Sequence, residues 1–318
     1  MRVHLLLATA LAQGNGTLQG PSFLDRALQS LVNGIQFGSI IAITAVGLSL
    51  IFGTTHLINF AHGELVTIGA VVAFYLNAAV GGPGWHLIPA AVAAIAVGAL
   101  LGGLVDVGLW RPLRRRGVGL INLFIITIGL SLFLRHLVLV FFGTQPQTYR
   151  QYAVQQALTL GPVGITPRDL VIIVLSVLVL FGVAVLLQRT RTGTAIRALS
   201  SNPDLAEASG IDVDRIVLVV WVLGGGLAAL GGIFSGLSQV ITWDMGFRLL
   251  LLMFAAIILG GLGSAYGAIV GSFVIGIVAQ MSSLWFPVDL QNAWALLVLI
   301  VVLLIRPQGI LGERERVG

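Results

Sequence analysis

The sequence predicts an all-α fold: a polytopic transmembrane helix bundle of about 8–10 spans, including short or re-entrant segments. Three observations carry this. Of 318 residues, 57% are hydrophobic and 9% charged, against about 25% charged in a soluble domain. Mean hydropathy is +1.03, so apolar surface must face lipid. The apolar residues come in runs near the ~20 that a helix needs to cross ~30 Å of hydrocarbon, which points to helices rather than barrel strands. The 41 glycines fit close helix packing, which in lipid depends on small residues at the contacts.

Eight apolar stretches follow in order: 28–52, 57–79, 87–109, 118–142, 168–188, 215–238, 248–281 and 290–306. The loops between them sort by charge. All 17 basic residues are arginine, and 11 of them fall in the segments 111–116, 189–215 and 306–316. Such clustering in short loops marks the cytoplasmic side. The segments 80–86, 143–167 and 282–289 are rich in Gly, Pro and Gln and read as the outer face. Parity then makes 248–281 go in and come back, breaking at Leu259-Gly260-Gly261-Leu262-Gly263-Ser264-Ala265-Tyr266-Gly267. By the same logic 28–52 and 57–79 form an inward-and-back pair meeting between Phe52 and Gly63, with the N-terminus outside.

The chain divides into an N-terminal extension over 1–26, a membrane domain over 27–306 with a cytoplasmic connector at 189–215, and a cytoplasmic tail over 307–318. Residues 1–12 have the look of a short signal segment, with Ala10-Leu11-Ala12 as its cleavage site; an uncleaved tail is the other reading. In each half a helix pair meets at a polar or Gly-rich break, and the next span ends at Arg-Pro (Arg111-Pro112, Arg306-Pro307). That is the pattern of an internal repeat around a transport site, although Arg-Pro at a helix exit is also ordinary helix-stop chemistry.

Composition excludes several functions. There is no cysteine, hence no disulfide or thiolate metal site, and no lysine, hence no Walker A loop. The chain is therefore expected to be no enzyme, to bind no cofactor and no metal, and to take no nucleic acid. The formal charge of +5 is a topology signal.

The most telling string is Ile58-Asn59-Phe60-Ala61-His62-Gly63-Glu64-Leu65, a polar island between apolar runs. A carboxylate at mid-bilayer costs roughly 2.5–3.5 kcal/mol on insertion scales, and broken backbone survives there only inside protein or beside a wet cavity. Asn59, His62, Gly63 and Glu64 are thus candidates for a substrate pathway or gate. The plainer reading stays open: Asn59 or His62 caps a helix and Glu64 complements its dipole. Gly260, Gly261, Gly263 and Ser264 are a second candidate pathway segment, with close helix packing as the alternative. In the connector, Asn202-Pro203-Asp204 divides two short amphipathic helices, Asn202 as cap and Pro203 in the first turn. Such helices suit a groove in a partner. Asp244 and Arg248, four apart, read as a local ion pair near the outer boundary, and Arg114, Arg115 and Arg116 as contacts for anionic lipid.

Several of these strings, in order, resemble one family. Asn33-Gly34, Gly38-Ser39, Ala45-Val46-Gly47-Leu48 and Ile51-Phe52-Gly53 lead into the 58–64 string. Arg191-Thr192-Gly193-Thr194-Ala195-Ile196-Arg197-Ala198, Ala206-Glu207-Ala208-Ser209-Gly210-Ile211, Leu259-Gly260-Gly261-Leu262-Gly263-Ser264 and Arg306-Pro307-Gln308-Gly309-Ile310-Leu311-Gly312 follow. Over about residues 28–312 the chain resembles the LivH-type permeases of branched-chain amino-acid ABC importers. The resemblance implies a bacterial inner-membrane subunit working by alternating access, with its C-terminus in the cytoplasm. Its partners would be a second homologous permease, two cytoplasmic ATPase subunits on which ATP acts, an extracytoplasmic substrate-binding protein and membrane lipid. Arg191, Gly193, Arg197, Pro203, Asp204 and Glu207 would couple to the ATPases. A permease for urea or short amides remains an alternative, as does a self-sufficient secondary transporter using Glu64.

Overall fold

The computed structural model describes residues 22–152 and 155–311. The 1–12 segment and the arginines at 314 and 316 lie outside them. Helix α1 runs Phe23–Thr55, opened by a capping box: Ser22 Oγ accepts the Asp25 N–H at 3.1 Å and Asp25 Oδ2 accepts the Ser22 N–H at 2.9 Å. Residues 22–26, assigned from sequence to an extension, thus belong to this helix. Then come α2 (His62–Asn77), α3 (Leu87–Val105), a π-turn (Asp106–Trp110), α4 (Arg111–Arg115), α5 (Leu120–Phe142) and α6 (Pro167–Arg189). The connector holds α7 (Arg191–Ser201) and α8 (Pro203–Ala208); α9 (Val213–Ser238), α10 (Met245–Gly260), α11 (Ala265–Ser282) and α12 (Gln291–Ile305) complete the bundle. An antiparallel hairpin of β1 (Leu158–Leu160) and β2 (Val163–Ile165) lies in the long loop before α6.

Seven of the described helical segments are long and apolar enough to cross a membrane. Helices α2 and α10, at 16 residues each, are shorter, spanning about 24 Å. The expected break in 248–281 falls at 261–264, between α10 and α11.

The centre is a crossing of α1 and α9, where Gly47 lies against Gly224. Helix α11 runs along α1 through Gly276 and Gly38, and α3 runs along α9 through Gly98, Gly102 and Gly225. Small residues let these backbones approach closely.

One expectation is corrected here. The span read as 57–79 begins at His62, and it does not start where α1 ends. His62 Nε2 lies 3.1 Å from the carbonyl oxygen of Thr44, eleven residues, or about 16 Å, back along α1. Residues 56–61 therefore climb back into the bundle before α2 starts. Helix α10 starts at the same level: Gly246 N–H donates to Thr67 Oγ1 at 3.0 Å, and a Cβ on Gly246 would lie 1.9 Å from the Gly63 carbonyl oxygen. The two short helices leave this point in opposite directions. Helix α2 runs to Asn77, which bonds Trp85 and Arg150, and α10 to Gly260, which accepts from Leu311. In level, length and the helix that follows, the segment 239–244 between α9 and α10 resembles the α1–α2 break more closely than does the Gly-rich turn that sequence paired with it. Each break is six residues long and each is followed by a 16-residue helix.

The arginine-rich segment is held by acids. Buried Asp106 pairs with Arg114 at 2.8 Å and Arg111 at 3.6 Å, and Arg115 reaches Asp214 at the start of α9 at 2.6 Å. Two of the three arginines assigned to lipid, Arg114 and Arg115, thus have protein partners. At the other end the 143–152 loop folds into the bundle. Gln147 and Ile241 exchange backbone bonds, and buried Tyr149 donates its hydroxyl to Ala70 O at 3.1 Å. Burial pushes that phenol above its ordinary range.

The crossing of α2 and α10 has no room for a side chain. Gly246→Ala is expected to collapse the yield of monodisperse protein after detergent extraction. Gly226→Ala, whose Cβ would meet nothing nearer than 3.6 Å, is expected to leave it unchanged.

Candidate functional site

Helix α1 ends at His56, which takes the left-handed conformation (φ 53°) and donates its N–H to Phe52 O. Asn59, only 1% exposed, then folds the chain over: its Oδ1 accepts the Ala61 N–H at 3.0 Å, and its carbonyl accepts the His62 N–H at 3.3 Å. This is the local turn chemistry that Asn supplies where a helix must begin. His62 is fully buried. A carbonyl can only accept, so Nε2 carries the proton in the bond to Thr44.

Glu64 is also fully buried. Its Oε1 accepts from Ser131 Oγ at 2.9 Å and from Arg135 Nε and Nη2 at 3.1 Å each. Arg135 in turn donates to Ser131 Oγ at 3.1 Å, and its guanidinium carbon sits 3.5 Å above the ring of Phe247. Helices α2, α5 and α10 are thereby joined through one ion pair and one cation–π contact. Thr127 Oγ1 adds a bond from α5 to the Ile58 carbonyl at 3.2 Å. The pathway candidates Asn59, His62, Gly63 and Glu64 come together here, with their side chains inside the protein. Ile58 and Phe60 line an apolar cavity of about 360 Å³ with Phe124 and Phe254.

The second pathway segment lies elsewhere. Gly260 is fourteen residues along α10 from Gly246, about 21 Å, so the structure does not bring the two segments together. Gly261 (φ 113°) and Gly263 (φ 79°) adopt backbone that other residues rarely take, and Ser264 Oγ caps α11 through the Gly267 N–H at 3.0 Å. The tail docks on this turn: Ile310 N–H donates to Leu259 O at 2.7 Å and Leu311 N–H to Gly260 O at 2.9 Å. Gly53 of α1 faces both the Gly263 carbonyl and the Ser200 hydroxyl of α7.

The connector forms as its sequence requires. Thr190 caps α7, Asn202 caps α8 with Pro203 in its first turn, and Asp212 caps α9. Gly193, Ile196, Leu199 and Ala206 are buried, whereas Arg191, Arg197, Pro203, Asp204 and Glu207 are exposed. A Cβ on Gly193 would lie 2.2 Å from the Leu186 carbonyl, so glycine is needed for the tight elbow out of α6.

Sequence reading missed the partners. Arg135 is 71 residues from Glu64, and no local spacing announces the pair. It read Asp244 and Arg248 correctly as an ion pair, 2.7 Å apart. Their helix starts level with Gly63 of α2. Arg248 lines a second cavity of about 300 Å³ with Gln239, Gln280, Asp289 and Asn292.

Fold and site define a multi-pass helical transport protein of the membrane, built round a broken helix. The branched-chain amino acid transport system / permease component family matches residues 30–306, and the chain belongs to that family. It is 32% identical to the high-affinity branched-chain amino acid transport system permease protein LivH of Escherichia coli K12 over 301 residues, 91% of this chain and 96% of that protein. It is 33% identical to the corresponding permease protein BraD of Pseudomonas aeruginosa PAO1, with the same coverage. It is also 29% identical to the ribose import permease protein RbsC of Escherichia coli K12, over 90% of this chain and 86% of that protein. No solved structure matches the chain.

Removing one member of a buried ion pair typically costs about 3–5 kcal/mol, whereas apolar replacement of both is often tolerated. Glu64→Ala is therefore expected to lower the unfolding midpoint in detergent markedly. Glu64→Leu combined with Arg135→Met is expected to recover most of the loss.

Proposed function

We propose that this chain is the membrane-spanning subunit of an ATP-driven importer of branched-chain amino acids. It pairs with a second permease, receives substrate from an extracytoplasmic binding protein, and is driven by two ATPase subunits docked on the 189–215 connector. The arginine-rich end, with the C-terminal tail, faces the cytoplasm. The named substrate of the LivH and BraD relatives supports the choice of amino acid.

The observation that carries the reading is the connector's position. Helices α7 and α8 present Arg191, Arg197, Pro203, Asp204, Leu205 and Glu207 outward, while Ser200 on the same unit lies against Gly53 and, through it, Gly263. A push on the exposed face reaches the end of α1, the α10–α11 turn and the docked tail together. Gly193 sets the elbow about which the unit moves, and Gly260, Gly261, Gly263 and Ser264 form the seat that receives the push. Asn59, His62, Gly63 and Glu64 hold the far end of α10 and so act on the route through packing. A self-sufficient carrier using Glu64 as a proton site is disfavoured, because the carboxylate is ion-paired with Arg135 through Oε1, although Oε2 makes no hydrogen bond among the described residues.

Pro203→Ala and Glu207→Lys are expected to reduce co-purification of the ATPase several-fold while membrane insertion stays intact. Undiminished co-purification would overturn this assignment of the connector.

A further inference from the structure

The cavity beside Arg248 is a surface that the family match leaves without a role. It is bounded by α1, the 239–244 break, α10, α11 and the start of α12. Gln239, Gln280, Asp289 and Asn292 sit near the helix ends opposite the connector, so the cavity opens toward that end. Arg248 lies within the first turn of α10, the helix that starts level with Gly63 deep in the bundle. In a helix the side chain leans toward the N-terminus, which aims this guanidinium at the cavity mouth.

Arg248 is only partly used by the protein. Its Nε–H donates to Asp244 Oδ2 at 2.7 Å, and its side chain is 71% exposed. Among the described residues the two terminal nitrogens make no hydrogen bond, which leaves the paired donors that match a carboxylate. Asp289 lines the same cavity with no ion-pair partner among the described residues. Phe37, Leu249, Leu252 and Val288 add apolar lining to the same cavity. A fork of donors, a separate carboxylate and an apolar wall suit one chemical class: a zwitterion with a short aliphatic side chain. An exposed guanidinium on a membrane-spanning bundle suits a wet cavity, because lipid would penalise it.

We propose that this cavity is a substrate way-station on the import route, with Arg248 receiving the α-carboxylate, Asp289 the α-ammonium, and the Phe37–Leu252 wall the branched side chain. The proposal rests on the importer reading above and adds the residues that hold the cargo. Asp244 is a positioning residue that fixes the guanidinium.

The chain has no cysteine, so Asn292→Cys gives a single reporter in this subunit within the assembled importer. A membrane-impermeant maleimide is applied to the assembled importer in proteoliposomes, with excess L-leucine, leucinol (no carboxylate) or 4-methylpentanoate (no amine). Leucine is expected to slow labelling by about fivefold or more, with little effect of either analogue, since both charged groups must be matched. Arg248→Gln is expected to abolish the protection and Arg248→Lys to restore part of it. Absence of labelling, absence of protection, or equal protection by all three compounds would each overturn the proposal. Leucine uptake by the importer with the unaltered chain is measured alongside. Its absence would refute the importer reading, whereas uptake without protection would refute only the way-station.

Discussion

The structure depends on one constraint: polypeptide broken within a bilayer must satisfy its polar groups from inside the protein. Here α1 overshoots, the chain climbs back, and α2 starts deep in the bundle beside Thr44. Three devices make that possible. Asn59 turns the backbone, His62 ties the first turn of α2 to α1, and Glu64 is held by Arg135 and Ser131 of α5. The cation–π contact from Arg135 to Phe247 then extends the same cluster to α10. The polar island is thus a clamp for three helices, and its charges are neutralised where lipid could not solvate them.

The clamp gives the rest of the bundle its mechanics. Helix α10 has its first turn locked against Gly63 and Thr67 and its last turn locked under the docked tail. Between those points it is a rigid rod of about 24 Å. At its connector end sit the Gly263 turn, Gly53 of α1 and Ser200 of α7; at its other end sits the Arg248 cavity. One short helix therefore links the exposed connector with the Arg248 cavity. The opposed directions of α2 and α10, each a 16-residue helix after a six-residue break, give the two halves one local pattern in common.

Much of this was legible in local sequence. The long spans follow from unbroken apolar runs, and the split at 261–264 from charge parity with a run too long for one crossing. The Asn202–Pro203 cap follows from side-chain chemistry acting over three residues. Long-range pairing left no such mark. Nothing near Glu64 points to Arg135, and nothing near Gly63 points to Gly246, because those contacts depend on where separate helices cross. The same limit hid the Asp106–Arg114 and Asp214–Arg115 pairs, so arginines read as topology signals and lipid contacts gave no sign of their protein partners. The break before α10 left no mark, since a Gly-rich turn is conspicuous in sequence whereas Gln239-Val240-Ile241-Thr242-Trp243-Asp244 is not.

Hydrogen–deuterium exchange on the intact protein in nanodiscs tests the central claim most directly. If both short helices start inside a dry, mutually braced junction, amides of residues 61–67 and 246–252 exchange as slowly as those in the middle of α9. Fast exchange in both segments, comparable with that of the exposed connector, would show that no such junction exists.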